Sequence, residues 1–184
     1  IGRGGGASLW GTNEVWVTDN AFTGNTASIS RSGAGGGLLL LNTSDCRLRE
    51  NDFEGNSAVV SGEGHGGGLC IWSEPRNSDT VIDANFFLSN HAAAELGGPD
   101  QSDGGACYVD TYGLDFTNNV VAGNSADLSG GVYLPFAQDG VVTNNTLVGN
   151  SDAAILIDQY NVTPMIVTNN IIVSHTVGIS VAQG

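Results

Sequence analysis

Asp19 and Glu50 stand one place before the leading asparagine of a recurring unit, Asp83 two places before it and Asp52 one place after it, with Arg49 among them. Oxygen-only ligands gathered in this way suit a hard cation such as Ca²⁺. The competing reading is a solvated acidic face held by one stabilising arginine. If the chain were an enzyme, Arg49, or Arg47 in its place, and Asp83 would be the candidate catalytic residues. A second set comprises Trp10, Trp72 and His65. The two tryptophans occupy equivalent slots two repeats apart, with Leu41 between them and Val109 beyond, and burial in an inward column is the expectation. If exposed, such flat aromatics would form a track for stacking sugars or docking a protein. His65 stands within Gly64-His65-Gly66, in a glycine-rich insertion where an ordinary loop histidine is the plain reading.

Charge narrows the partners. Of 184 residues, 19 are Asp or Glu, against five arginines and no lysine, for a net charge of −14. Arg3, Arg31, Arg47, Arg49 and Arg76 are too few to build a phosphate-binding patch, so nucleic acid is excluded as a partner. Anionic membrane surfaces are disfavoured for the same reason. The longest uninterrupted apolar run is the five residues Ala153 to Ile157, with Leu38 to Leu41 one shorter, far short of a transmembrane segment. Apolar residues nevertheless make up 40% of the chain, enough to fold around a core.

The elements that must position these residues come from an internal repeat. Asn-x-apolar-x-Gly/Ser-Asn occurs at Asn20 to Asn25, Asn51 to Asn56, Asn85 to Asn90, Asn119 to Asn124 and Asn145 to Asn150. A sixth copy, Asn170 to His175, ends in histidine. Three residues before each leading Asn stands an apolar residue: Val17, Leu48, Ile82, Phe116, Val142 and Val167. Alternating with this unit is a small residue followed by an apolar-x-apolar strand, as in Gly37-Leu38-Leu39-Leu40 and Gly131-Val132-Tyr133-Leu134. Short β-rich segments separated by Gly, Asn and Asp turns, each too small to bury its own face, must stack on their neighbours. The predicted fold is all-β: a single-stranded right-handed parallel β-helix, a pectate-lyase-like solenoid of about six to seven coils. One helical candidate, Ala92 to Leu96, is stopped by Gly97-Gly98-Pro99.

Stacking turns the alignment into columns. Phe22, Phe53 and Phe87, continued by Val121, Leu147 and Ile172, are expected to form one apolar column. Asn20, Asn51, Asn85, Asn119, Asn145 and Asn170 form one amide column; Asn25, Asn56, Asn90, Asn124 and Asn150 form another. The asparagines are expected to take the left-handed conformation of the corners while bonding along the rod. Longer early coils carry added residues expected to be loops: Ser28 to Ala34, Val59 to His65 and Glu95 to Asp103 on one edge, and Trp10 to Glu14, Asn42 to Asp45 and Ser73 to Asp79 on another. Cys70 and Cys107 are assigned the same slot in successive coils, as a reduced pair or, alternatively, a disulfide. Cys46 is expected to be a core thiol.

The motifs Phe22-x-x-Asn25, Phe53-x-x-Asn56 and Phe87-x-x-Asn90, alternating with Gly104-Gly105-Ala106 and its relatives, resemble the FxxN and GGA repeats of polymorphic outer-membrane proteins. The likeness spans nearly the whole chain and thins after the fourth coil, where Val, Leu and Ile replace Phe. It implies a bacterial, surface-exposed β-helical passenger domain with an adhesive role. Gly64-His65-Gly66 is also similar to a short motif of galacturonan hydrolases, but the Arg-x-Lys partner of that family has no counterpart in a chain without lysine. A net charge of −14 also repels an anionic uronan.

These readings combine into one β-helix domain over residues 1–184, a fragment of or continuous with a longer solenoid, located extracellularly or on a cell surface. Its expected role is an adhesion or binding module for a polysaccharide or protein ligand. The alternatives are a polysaccharide lyase or hydrolase on the same scaffold, and a structural spacer. Monomer, or end-to-end association through uncapped coils, is the expected state. Asn42-Thr43-Ser44, Asn144-Asn145-Thr146 and Asn161-Val162-Thr163 match the glycosylation pattern.

Overall fold

The computed structural model describes residues 2–73, 79–93, 101–136, 138–159 and 163–183. Arg76, most of the insertions at Ser73 to Asp79 and Glu95 to Asp103, the tail of the Ala92 to Leu96 segment, and Asn161 of the third glycosylation pattern lie outside the described residues.

Three parallel sheets run the length of the rod. The main sheet has seven strands, starting with Ala7–Trp10, Leu38–Leu41, Leu69–Trp72 and Cys107–Asp110 and continuing with Val132–Leu134, Ala153–Gln159 and Val177–Gln183. A second sheet of six runs from Trp16–Thr18 and Arg47–Arg49 to Ile166–Thr168, and a third of six from Ala21–Thr23 and Asp52–Glu54 to Ile171–Val173. Every strand pair within these sheets is parallel and joins one coil to the next. The columns follow the repeat: Val17, Leu48, Ile82, Phe116, Val142 and Val167 are in register. So are Phe22, Phe53, Phe87, Val121, Leu147 and Ile172. Both sets line one continuous core.

Corners divide the labour differently from the sequence expectation. The left-handed residue is the one before each asparagine: Asp19, Glu50, Ala84, Asn118, Asn144 and Asn169 before the first column, and Gly24, Gly55, Ser89, Gly123, Gly149 and Ser174 at the second corner. The column asparagines are thereby left free to bond along the rod. Asn56 Nδ2 donates to Asn90 Oδ1 at 2.9 Å, and Asn90 Nδ2 donates to Asn124 Oδ1 at 3.0 Å.

Two further corrections concern the main sheet and the insertions. Cys107 pairs with Leu69, and Cys70 with Tyr108. Because successive strand residues face opposite sides, Cys107 points into the core and Cys70 outward, so they are not stacked partners. All three cysteines are free and buried. The glycine-rich insertions are not loops but strands: Arg31–Ala34 pairs with Gly2–Arg3 on one side and Gly62–His65 on the other, and Ser57–Val59 pairs likewise with Thr26–Ser28 and His91–Ala93. These two small sheets press together so tightly that a Cβ at Gly33 would meet the Ala58 carbonyl at 1.8 Å, and one at Gly64 the Ala92 carbonyl at 1.7 Å. The result is a fin standing beside the outer face of the main sheet.

Candidate functional site

The fin and the main sheet enclose a groove along the N-terminal coils. Alternation along the main strands buries Leu38, Leu40, Leu69, Ile71, Cys107 and Val109 in the core and turns Leu39, Cys70 and Tyr108 outward as its floor. One wall is a slot of the fin: Arg3 pairs with Ala34, Ala34 with His65, and His65 bridges to Asp103. The opposite rim is the last residue of each main strand: Trp10, Leu41, Trp72 and Asp110 in register. The fin can return so close because Gly35, Gly66 and Gly104 follow the wall residues with φ near +60°. A Cβ there would strike the backbone of Leu38, Leu69 or Cys107 at 2.1 to 2.3 Å.

Trp10 and Trp72 are 69% and 37% exposed, which replaces the expected inward burial. A strand's terminal residue shares the outward phase of the residue two before it, so Trp10 follows Ser8 and Trp72 follows Cys70. The fourth member of the rim is Asp110, not Val109, because the fourth strand is displaced by one residue from the sequence alignment. Arg3 caps Trp10, its guanidinium 6.0 Å from the ring centroid.

His65 is the hub of the groove. Its ring lies edge-on to Trp72 at 6.1 Å and tilted against Tyr108 at 5.1 Å, and Tyr108 meets Tyr133 edge-on at 5.5 Å. His65 Nδ1 and Asp103 Oδ1 are 2.7 Å apart, and Nε2 faces Glu63 Oε1 at 3.6 Å. Further along, the Tyr133 hydroxyl donates to Asp158 Oδ2 at 2.5 Å. Burial pulls the His65 pKa down, but the hydrogen bond and charge of Asp103, helped by Glu63, outweigh it and hold the imidazole above its ordinary value. Burial raises Asp103 despite its pairing with His65.

The sign of the linkage follows. In the folded state His65 binds its proton more tightly than in the unfolded chain. The stabilisation is full below the ordinary histidine value of ~6.5 and is lost as pH rises through the folded one. Asp103 acts in the same direction at lower pH, since its folded form also retains a proton longer. Urea midpoints of the wild type are therefore expected to fall more steeply between about pH 6 and pH 7.5 than those of His65→Ala. A wild-type midpoint that rises across the range would contradict the pairing.

The acidic set lies elsewhere, at the corner between the second and third sheets. Asp19 and Glu50 are left-handed corner residues, Asp52 opens a strand of the third sheet, and Asp83 closes one of the second. Asp83 is already engaged: Arg49 Nε approaches at 3.7 Å, and Thr117 Oγ1 and Asn118 Nδ2 each donate to its Oδ1 at 2.8 Å. Among the described residues, no three His, Cys, Asp or Glu side chains come together as metal ligands. Arg49 is half exposed, so its ion pair is worth about 1 kcal/mol at most. Arg47 stacks over Trp16, 5.9 Å from the ring centroid.

Of the residues around this groove, sequence reasoning singled out Trp10, Trp72 and His65 and passed over Arg3, Glu63, Asp103, Tyr108, Tyr133 and Asp158. A signal for the wall was present: Arg3, Ala34, His65 and Asp103 each directly precede a glycine, those being Gly4, Gly35, Gly66 and Gly104.

Fold and groove together define a parallel β-helical scaffold with a recess built on its outer face. Residues 5–184 match the model of the right handed beta helix region, and the chain belongs to that family. No curated protein and no solved structure matches it. Among the described residues no helix is long and apolar enough to cross a membrane.

Proposed function

We propose that the chain is a secreted or cell-surface β-helical binding module whose groove receives a carbohydrate chain running along the rod. The observation that carries this reading is the exposed face of Trp72 beside His65 and Tyr108, in a recess whose wall also bears hydrogen-bonding groups. Sugars present apolar ring faces to aromatics and hydroxyls to carboxylates, and this groove offers both surfaces. The likeness to adhesive passenger repeats supports a surface role. Protein ligands are the alternative occupants, and end-to-end association of coils stays compatible with a groove on the side of the rod.

The test is affinity electrophoresis through gels cast with a panel of polysaccharides. Retardation in at least one gel is expected, and Trp72→Ala should weaken it by about tenfold, the loss of one stacked aromatic with its buried area. EDTA is expected to leave retention unchanged, because Asp83 already has three protein partners. Unhindered migration in every gel would reject the carbohydrate reading and favour a protein partner or a spacer.

One observation favours a second reading, a polysaccharide-active lyase or hydrolase. The 2.7 Å contact of His65 with Asp103 places an acid–base pair inside the groove. A cleared zone around the band, abolished by His65→Ala and not by Arg49→Ala, would establish catalysis there.

A further inference from the structure

The groove contains an apolar hollow of about 200 Å³, lined by Arg3, Ala34, Leu39, Leu41 and Trp72. Two substitutions within the repeat create it. Ala34 occupies the wall slot that His65 fills in the next coil, and Leu41 occupies the rim slot filled by tryptophan in both neighbouring coils. Trp10 and Trp72 thus stand on either side of a gap, two strand spacings of ~4.8 Å apart. Arg3, stacked on Trp10, brings the one charged group of the lining to it.

We propose that this hollow is a subsite for a single N-acetylated sugar unit of an uncharged glycan; the proposal rests on the carbohydrate reading above. The chemistry of the lining selects the substituent. Ala34, Leu39, Leu41 and the Trp72 ring provide an apolar surface that a methyl group fills, and Arg3 donates to a carbonyl oxygen. An acetamido group carries both features. A hydroxyl at the same position buries polar atoms against leucine with fewer partners, which is costly. A protonated amine there meets the Arg3 guanidinium, a like charge. The volume agrees: drug-sized ligands occupy ~300 Å³ or more, so about 200 Å³ suits one sugar substituent with part of its ring. A chain charge of −14 adds a general preference for glycans without acidic groups.

The experiment is calorimetric titration of the full chain with three soluble probes: a hexamer of β-1,4-linked N-acetylglucosamine, the glucose hexamer of the same linkage, and the fully deacetylated glucosamine hexamer. The N-acetylated hexamer is expected to bind at least ~10-fold tighter than the glucose hexamer, the discrimination that one well-seated methyl provides, and tighter than the deacetylated hexamer once salt screens the attraction of its ammonium groups to a chain of net charge −14. Leu41→Trp, which places in this slot the residue both neighbours carry, should fill the hollow and erase that preference. Ala34→Val narrows the hollow from the fin side and should reduce it, giving a second route should either variant unfold. Equal affinity for the acetylated and glucose hexamers, or a preference untouched in folded Leu41→Trp, would overturn the subsite and leave the carbohydrate reading standing. Absence of binding to every probe and to the polysaccharide panel would overturn both.

Discussion

Phe53→Ala is expected to cost about 3–5 kcal/mol, a large part of the stability of a chain this size. Phe53 is fully buried and stacked on both faces, at 4.9 Å from Phe22 and 4.8 Å from Phe87, with rings tilted by only 7° and 6°. Its truncation leaves a void that neither neighbour can close, because each is fixed by the backbone register of its own coil. Gly37 lies against the same ring, where a Cβ would come within 3.0 Å, so the main sheet is also unable to collapse without moving its backbone. Phe22 provides the contrast. It ends the column and is only partly buried, so Phe22→Ala should cost less than half as much. Since coils contact only their neighbours, the loss should appear as early melting of the N-terminal coils and not as a uniform drop. Urea unfolding followed by tryptophan fluorescence reports on this half, where Trp10, Trp16 and Trp72 reside. Equal midpoints for Phe53→Ala and Phe22→Ala would show that column position does not set the cost.

The fold was legible because a coil that cannot bury itself must repeat its inward residues. Val17 to Val167 and Phe22 to Ile172 are two such series, and both run through the core as aligned. Register was less secure where small residues vary. Matching Gly105 with Gly68, instead of Ala106 with Gly68, shifts one strand by one residue, and such a slip exchanges the faces of every side chain. That single step placed Cys107 opposite Cys70, hid Tyr108 from the groove and substituted Val109 for Asp110 on the rim. The fin was read as loops because Gly62, Gly64 and their neighbours carry no strand pattern. Its order comes from parallel stacking on the equivalent segments of adjacent coils, which is a tertiary effect. The acidic set was legible as far as the corner: successive coils bring Asp19 and Glu50 to left-handed positions there, while the bonds of Asp83 to Arg49, Thr117 and Asn118 depend on side-chain geometry. His65 and Asp103 meet because they hold the slot before the corner glycine in successive coils, an alignment that the unequal coil lengths disguise in the sequence.

Asn90→Ala should destabilise by about 3 kcal/mol or more, rivalling the loss of a core aromatic although it removes no apolar surface. The Asn90 side chain accepts from the backbone N–H and the Nδ2 of Asn56, at 3.0 and 2.9 Å, and donates to the Phe53 carbonyl at 2.9 Å and to Asn124 Oδ1 at 3.0 Å. All four bonds lie in the buried interior, so alanine leaves orphaned donors and acceptors that water does not reach. Asn25, at the end of the same ladder, donates from Nδ2 to Asn56 at 2.9 Å and is partly exposed; Asn25→Ala should cost about 1 kcal/mol. Asn90→Asp separates bonding from size. The carboxylate is nearly the same shape and still accepts from Asn56, but it turns an acceptor toward the Phe53 carbonyl and Asn124 Oδ1. It should therefore be worse than alanine at neutral pH, since a buried charge lacking a cation is added to two lost donors. Protonation restores one donor, so the folded-state pKa of Asp at this position lies above the ordinary carboxylate value and stability should recover as pH falls through it. Urea midpoints for the three variants at pH 7.5 and pH 5 measure the difference. Asn90→Asp matching the wild type at pH 7.5 would mean that the ladder's donors contribute nothing, and that the asparagine columns hold the rod by shape alone.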